Sequence, residues 1–227
     1  MFVEWPAPLP GGGVSGEMAL TFDRGRERRL LVVPPLFEEH NKLRRQLVTI
    51  MRNLDRAGFD TVAPDLPGLN ESGEPLKRQT LTSWQDAIET AATYFGATHA
   101  FAIRSGALLL PERLPAVIHA PHKGAQLLRG MVRARTIAAR EAGREERAAD
   151  LLEMGRESGL DLAGWPLGPQ MIRDLEKADC RVLETDRSID PAEVTGGPLW
   201  LRAEPGEDAS QAAVLAGIIA TFMSSPP

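Results

Sequence analysis

The stretch Phe101-Ala102-Ile103-Arg104-Ser105-Gly106-Ala107 decides how this chain is read. An apolar run meets a polar apex and then small residues, the pattern of a sharp strand-to-helix turn that exposes one side chain above a sheet. Such a turn needs small residues two before and two after its apex, so that neighbouring backbones can approach. Ala102 and Gly106 hold those places about Arg104. Centring the turn on Ser105 puts Ile103 and Ala107 there instead, and Ile103 is bulky where room is needed. The expected apex is therefore Arg104, on a turn of the kind that elsewhere carries a nucleophile.

Working outward, apolar runs bounded by turn residues alternate with longer helical patterns, which predicts a mostly parallel sheet with helices on both faces. Strands are expected at residues 17–22, 29–34, 61–64, 99–103, 116–119, 180–184 and 199–203. Leu30-Leu31-Val32-Val33 is a continuous apolar run, as suits a strand buried on both faces. Leu43, Leu47, Ile50, Met51 and Leu54 recur at helical spacing over residues 42–57, with Gly58 as a stop. Thr82 or Ser83 is expected to cap a helix through Trp84, Ile88 and Ala92, and residues 210–223 close the chain as another. With the turn at Arg104, this order predicts an α/β-hydrolase fold, one domain over residues 1–227 with a helical lid insertion at about 121–179. No strand signal is visible inside that insertion.

Lys123, Arg129, Arg133, Arg135 and Arg140 open the insertion with no acid among them. They read either as an electropositive cover for an anionic ligand or surface, or as a solvated helix face balanced by Glu141, Glu145 and Glu146. Elsewhere the composition is ordinary: 43% apolar and 25% charged residues suit a globular chain with one core. A net charge of −5 argues against bulk nucleic-acid binding. The single cysteine, Cys180, excludes an intrachain disulfide and fits a reducing compartment. Residues 1–13 are rich in proline and glycine without the order of a signal peptide, and the apolar run 212–223 is too short to span a bilayer. The expectation is a cytoplasmic protein without cofactor, nucleic-acid partner or membrane span, with homodimerisation left open.

The loop Pro34-Pro35-Leu36-Phe37 leads into Glu38, Glu39, His40 and Asn41. In this fold one oxyanion-hole amide comes from that loop and the other from the residue after the apex, which assigns Leu36 or Phe37 together with Ser105. The polar cluster at 38–41 is a candidate binding site, or alternatively a set of residues opposing a helix dipole. Asp65-Leu66-Pro67-Gly68-Leu69-Asn70-Glu71-Ser72-Gly73 follows the structural Asp-x-x-Gly-x-Gly-x-Ser loop of the fold, in which Asp65 ties the strand end to the backbone. Asp186 is the candidate catalytic acid, and Glu204 follows the last expected strand, where a histidine would be needed. The four histidines, His40, His99, His119 and His122, all precede residue 123. His40 and His122 are the only ones placed to serve Ser105. His119 and His122 flank Pro121 and are not presented as metal ligands, and Gly11-Gly12-Gly13 does not follow a strand as a phosphate loop would.

The segment 34–45, which contains Phe37-Glu38-Glu39-x-Asn41-Lys42-x-Arg44-Arg45, resembles the signature of the exosortase-system-associated α/β-hydrolase-like proteins of Gram-negative bacteria, second type. The 65–73 loop, the Arg104 turn with Gly106-Ala107-Leu108, the run Leu162-Ala163-Gly164-Trp165-Pro166-Leu167 and the segment 198–204 are similar as well. Leu36, Phe37 and Ser105 depart from the usual wording. The resemblance implies an arginine elbow in a fold named for hydrolases, and a link to exopolysaccharide export and sorting of C-terminally tagged surface proteins.

These readings lead to an altered α/β-hydrolase-fold protein that binds a small-molecule, acyl or sugar ligand, or a partner, at the former active-site cleft. Arg104, Glu204, Glu38, Glu39, His40, Asn41, Leu36 and Phe37 are its candidate site residues. An Arg104–carboxylate pair is expected, with Glu204 as first partner and Glu38 or Glu39 as the others. The alternatives are a serine esterase or thioesterase using Ser105 with Asp186, and an interaction module with a vestigial cleft.

Overall fold

The computed structural model describes residues 1–225. Its strands are β1 (Phe2–Pro8), β2 (Val14–Phe22), β3 (Arg29–Val33), β4 (Asp60–Pro64), β5 (His99–Ile103), β6 (Ala116–His119), β7 (Leu160–Leu162), β8 (Trp165–Leu167) and β9 (Arg187–Ile189). Seven of them form one sheet in the order β1-β2-β4-β3-β5-β6-β9. The strands from β4 to β9 in that order run parallel, and β1 with β2 adds an antiparallel hairpin at one edge.

Successive side chains of a strand point to opposite faces, so the continuous apolar runs feed two cores. Leu31, Val33, Ala100, Ala102 and Ile118 face one; Leu30, Val32, Phe101, Ile103 and Val117 face the other. Helices α1 (Glu38–Arg56) and α6 (Ala209–Ser224) cover the second face. The first is covered by α2 (Leu81–Tyr94), α3 (Gly124–Glu141), α4 (Ala148–Ser158) and α5 (Pro169–Lys177). On α1 the buried stripe includes Leu43, Leu47, Ile50, Met51 and Leu54, the residues whose spacing predicts the helix.

Several elements differ from the sequence expectation, each for a physical reason. The proline-rich start is a strand, because an edge strand tolerates Pro6 and Pro8 where no ladder N–H is needed. Its hairpin turns on Gly11, Gly12 and Gly13, at φ 87°, 101° and 87°. Residues 180–184 are not a strand. Asp186 accepts hydrogen bonds from Leu183 N (2.8 Å) and Ala116 N (3.0 Å), and β9 pairs with β6 only from Arg187 onward. Residues 199–203 are not a strand either. Leu199–Leu201 is one turn of 3-10 helix in which Leu199 is buried, Trp200 packs against the same core and Leu201 is 75% exposed, a pattern that no strand period fits. The cap of α2 is Thr80 rather than Thr82 or Ser83, with Thr80 and Ser83 bonded reciprocally as a capping box. Between β6 and β9 the expected helices are interrupted by the β7–β8 hairpin, whose turn residues Ala163 and Gly164 both have positive φ.

The 65–73 loop closes on itself. Gly68, at φ 85°, lies where a Cβ would come within 2.8 Å of Leu76 Cα, and Ser72 Oγ accepts its N–H. The Asp65 side chain accepts from Asn70 Nδ2, a side-chain partner in place of the expected backbone one.

Candidate functional site

At the end of β5 the backbone passes from Ile103 (φ −125°) to Arg104 (φ 56°). A positive φ on a side chain this large is a strained conformation that the surrounding structure must impose, at roughly 1–3 kcal/mol. Gly106 shows how it is imposed: a Cβ there would lie 2.5 Å from Val33 O and 2.6 Å from Pro34 O. The end of β3 and the turn thus meet backbone to backbone, with Ala102 fully buried beneath them. Arg104 occupies the apex. Ser105 is fully buried, and its Oγ accepts the Leu36 N–H at 2.9 Å. Of the two loop amides expected from the sequence, that of Leu36 is thus engaged by the protein's own hydroxyl.

The Arg104 guanidinium turns toward the first turn of α1. Nη2 lies 2.9 Å from Glu39 Oε1, and Nε donates to Oε1 at 3.2 Å and Oε2 at 3.3 Å. Nη1 donates to Ala120 O at 3.3 Å, and the guanidinium carbon sits 4.7 Å from the ring centre of Trp200. One carboxylate, one carbonyl and one π-face thus engage the charge, and both ionic side chains are about one-seventh exposed (14% and 15%). Glu39 reaches this place because α1 begins at Glu38, following Phe37 at φ 56°, and not at residue 42.

Two histidines border the pair. His119 packs its ring against Trp200 with centres 5.8 Å apart. Burial first, then the Arg104 charge, pushes it down to about 4. His122 donates its backbone N–H to Arg104 O, and its Nδ1 is buried without a hydrogen bond, 3.7 Å from Glu39 Oε1. Burial and Arg104 lower its pKa as well, against the opposite pull of Glu39. Both imidazoles are neutral at neutral pH.

Above this floor lies a cleft of about 560 Å³. Phe37, Trp165, Trp200, Leu127 and Met131 supply apolar walls, while Glu38, Glu39, Lys42 and His122 line its polar part. Arg104 itself does not line this cleft; Glu39, Trp200 and His122, which contact it, do. A second hollow of about 540 Å³ opens among Asp23, Arg24, Asp55 and Tyr94 beside the β1–β2 edge, and none of those three residues lines it.

The other sequence-derived site residues are dispersed. His40 is buried against Pro34 and Asp65 on another side of α1, where burial and Arg44 push it down to about 4. Asn41 is exposed. Asp186 sits at the first residue of β6, the opposite end of the sheet from Arg104, and its fully buried side chain is spent on the backbone N–H groups of Ala116 and Leu183 and on Arg181, 3.5 Å away. It cannot act as the acid of a site at Arg104. Glu204 is exposed beyond the 3-10 turn, and the carboxylate on Arg104 is Glu39. On α3, Lys123 pairs with Asp179 and Arg135 with Glu146, whereas Arg129, Arg133 and Arg140 are exposed. Sequence reasoning missed Trp200, Trp165 and Lys42 at the cleft. Among the described residues no group of three potential ligands is placed to hold a metal, and no helix is long and apolar enough to cross a membrane.

The chain has the α/β-hydrolase fold. Over 98% of its length it superposes on the whole of a bromoperoxidase from Bacillus anthracis, at TM-score 0.55 and 12% identity. Weaker likeness extends to the esterase Est1E from Butyrivibrio proteoclasticus (16% identity, TM-score 0.47, 71% of this chain and 68% of that one). It extends also to epoxide hydrolase VrEH1 from Vigna radiata (18% identity, TM-score 0.40), where 52% of this chain spans 40% of the other. No protein-family model matches the sequence, and neither does any curated protein.

Proposed function

We propose that this protein binds a small ligand, acyl or sugar in character, in the cleft above an elbow whose nucleophile has been exchanged for a structural arginine. The observation that carries this reading is Arg104 at the strained apex, held by Glu39 and stacked on Trp200. A serine nucleophile needs an accessible hydroxyl and a neighbouring base. Ser105 is fully buried on the Leu36 amide, and the chain has no histidine after residue 122. In this reading residues 121–179 form the lid of a single domain: α3 and the β7–β8 turn contribute Leu127, Met131 and Ala163 to the cleft wall. The sequence resemblance to exosortase-associated proteins supports a cytoplasmic role in exopolysaccharide export.

The decisive experiment is labelling with a fluorophosphonate probe, followed by thermal-shift screening with acyl and sugar compounds. Absence of label on Ser105, with ligand-dependent stabilisation, is the expected result, because a ligand that binds only the native state raises its stability by mass action. Stoichiometric labelling of Ser105 would restore the serine-esterase reading. A host strain lacking the gene is expected to export less exopolysaccharide, and unchanged export would remove the pathway assignment.

A further inference from the structure

We infer that the cleft is selective for an amphipathic monocarboxylate, an aliphatic or aryl acid with one charged end, over a sugar; this rests on the cleft being the binding site. The chemistry of the lining carries the choice. Phe37, Trp165, Trp200, Leu127 and Met131 supply two indole N–H donors and no acceptor, too few for the several hydroxyls of a sugar, and a buried sugar hydroxyl without a partner is unfavourable. The polar side chains of the lining, Glu38, Glu39, Lys42 and His122, come from the first turns of α1 and from the segment after β6. Such a site accepts one polar head and an apolar body.

The sign of the head follows from which charges are already engaged. Glu39 is committed to Arg104. Glu38 is exposed, where water screens it. Lys42 is half-buried in the cleft wall and has no ion-pair partner among the described residues. His122 lines the cleft, but its Nδ1 is buried and faces Glu39 Oε1 at 3.7 Å, which leaves Lys42 to meet the head. An ammonium head would instead meet the unpaired Lys42 ammonium with its own sign of charge. A carboxylate beside Lys42 gains a charge-assisted hydrogen bond and leaves the Arg104–Glu39 pair in place.

The test uses Nile red, a neutral fluorescent reporter of apolar sites, with decanoate, 1-decanol and maltose as competitors. Gly130 lines the cleft and has open space where a Cβ would go, so Gly130→Trp fills the cleft without a clash in the helix. Nile red is expected to bind the wild type and to be lost in a folded Gly130→Trp protein. Decanoate is expected to displace it at a concentration about tenfold below that of decanol, and maltose not at all. Lys42→Met should weaken decanoate about fivefold and leave decanol unchanged. Equal competition by decanol and decanoate, displacement by maltose, or a Lys42→Met effect shared by both C10 competitors overturns the carboxylate assignment while leaving the cleft as a binding site. Undiminished Nile red binding by folded Gly130→Trp overturns the cleft reading itself.

Discussion

Arg104 Nη2 stands 2.9 Å from Glu39 Oε1, and the two residues join the strained turn after β5 to the first turn of α1. The pair connects elements 65 positions apart in sequence across the end of the sheet. Its short contact is Nη2 to Oε1, while Nε is shared between Oε1 at 3.2 Å and Oε2 at 3.3 Å, so the pair is a lopsided version of the parallel two-bond fork.

Removing one partner from a fully buried pair costs about 3–5 kcal/mol, because the other charge is stranded. Here both side chains keep 14–15% exposure, so water reaches the stranded group and the loss should be smaller. Arg104→Met and Glu39→Gln are each expected to lower the unfolding free energy by about 1–3 kcal/mol, and the double variant by less than their sum. Urea titration of the four proteins measures this. Additive effects, or single losses below about 0.5 kcal/mol, would mean that the contact contributes nothing to stability.

Arg104→Ser puts a hydroxyl on the apex but does not complete a hydrolase. The neighbouring bases are engaged elsewhere: Glu39 meets the guanidinium end of Arg104, the His119 ring packs on Trp200, and His122 Nδ1 faces Glu39 Oε1. Turnover of 4-nitrophenyl acetate by Arg104→Ser should stay within about tenfold of the wild-type background, because a serine without a positioned base lacks most of its rate enhancement. A thousandfold rise, abolished by His122→Ala, would show that the site retains a competent base.

How much of this was legible in the chain follows the physics of each signal. Strands buried on both faces announce themselves as apolar runs, and β3, β5 and β6 lie where those runs predict. Arg104 at the apex was readable because its small neighbours follow from backbone packing, a local requirement. Partners brought by distant segments were readable only as a set: Glu39 stood among the candidates for Arg104, behind Glu204. Glu39 and Glu204 are both acids close to expected secondary structure, and only the actual start of α1 separates them. Asp186 has the residue type of a catalytic acid, yet it serves the backbone of Ala116 and Leu183. The edge strands were the least legible: β1 is masked by prolines, and β9, with three residues, is too short to show a period.

The backbone contact beneath the elbow is testable at Gly106. Ala107 is equally buried and tolerates its methyl, but a Cβ at 106 would press on two carbonyl oxygens at 2.5 and 2.6 Å. Neither Val33 nor Pro34 can withdraw without breaking the register of β3 with β5. Gly106→Ala should therefore destabilise by about 2–4 kcal/mol, at the upper end for overpacking a core. Gly130→Ala, on an open face of α3, is the control, expected to be neutral or stabilising by up to about 1 kcal/mol. Equal melting temperatures for the two variants would contradict the close approach.

All four histidines are held below their ordinary range, chiefly by burial, which sets the direction of the pH dependence. His40 and His119 are the strongest cases, each pushed from 6.5 down to about 4. Between those values the unfolded chain binds protons that the folded protein refuses, so stability rises with pH across the window and is lost as pH falls from 6.5 toward 4. Between pH 7 and pH 5 carboxylates contribute little; Glu146, Glu193 and Glu207, depressed from 4.5 chiefly by side-chain hydrogen bonds, add to the loss as the pH falls on toward 4. Asp60, whose burial is outweighed by the backbone N–H groups of Arg26 and Arg24, is depressed and acts only at lower pH, while Asp65 is raised by burial and pulls the opposite way. Going from pH 7 to pH 5 should lower the unfolding free energy by roughly 2–4 kcal/mol, given about 1.4 kcal/mol per pH unit for each fully depressed histidine and partial relief by water. His40→Gln keeps a polar side chain near the Pro35 backbone, removes the titration and should cut the slope by about half. Urea unfolding at pH 5, 6 and 7 decides the matter: a flat profile for the wild type, or an unchanged slope in His40→Gln, would show that these imidazoles accept protons in the folded state as readily as in the unfolded chain.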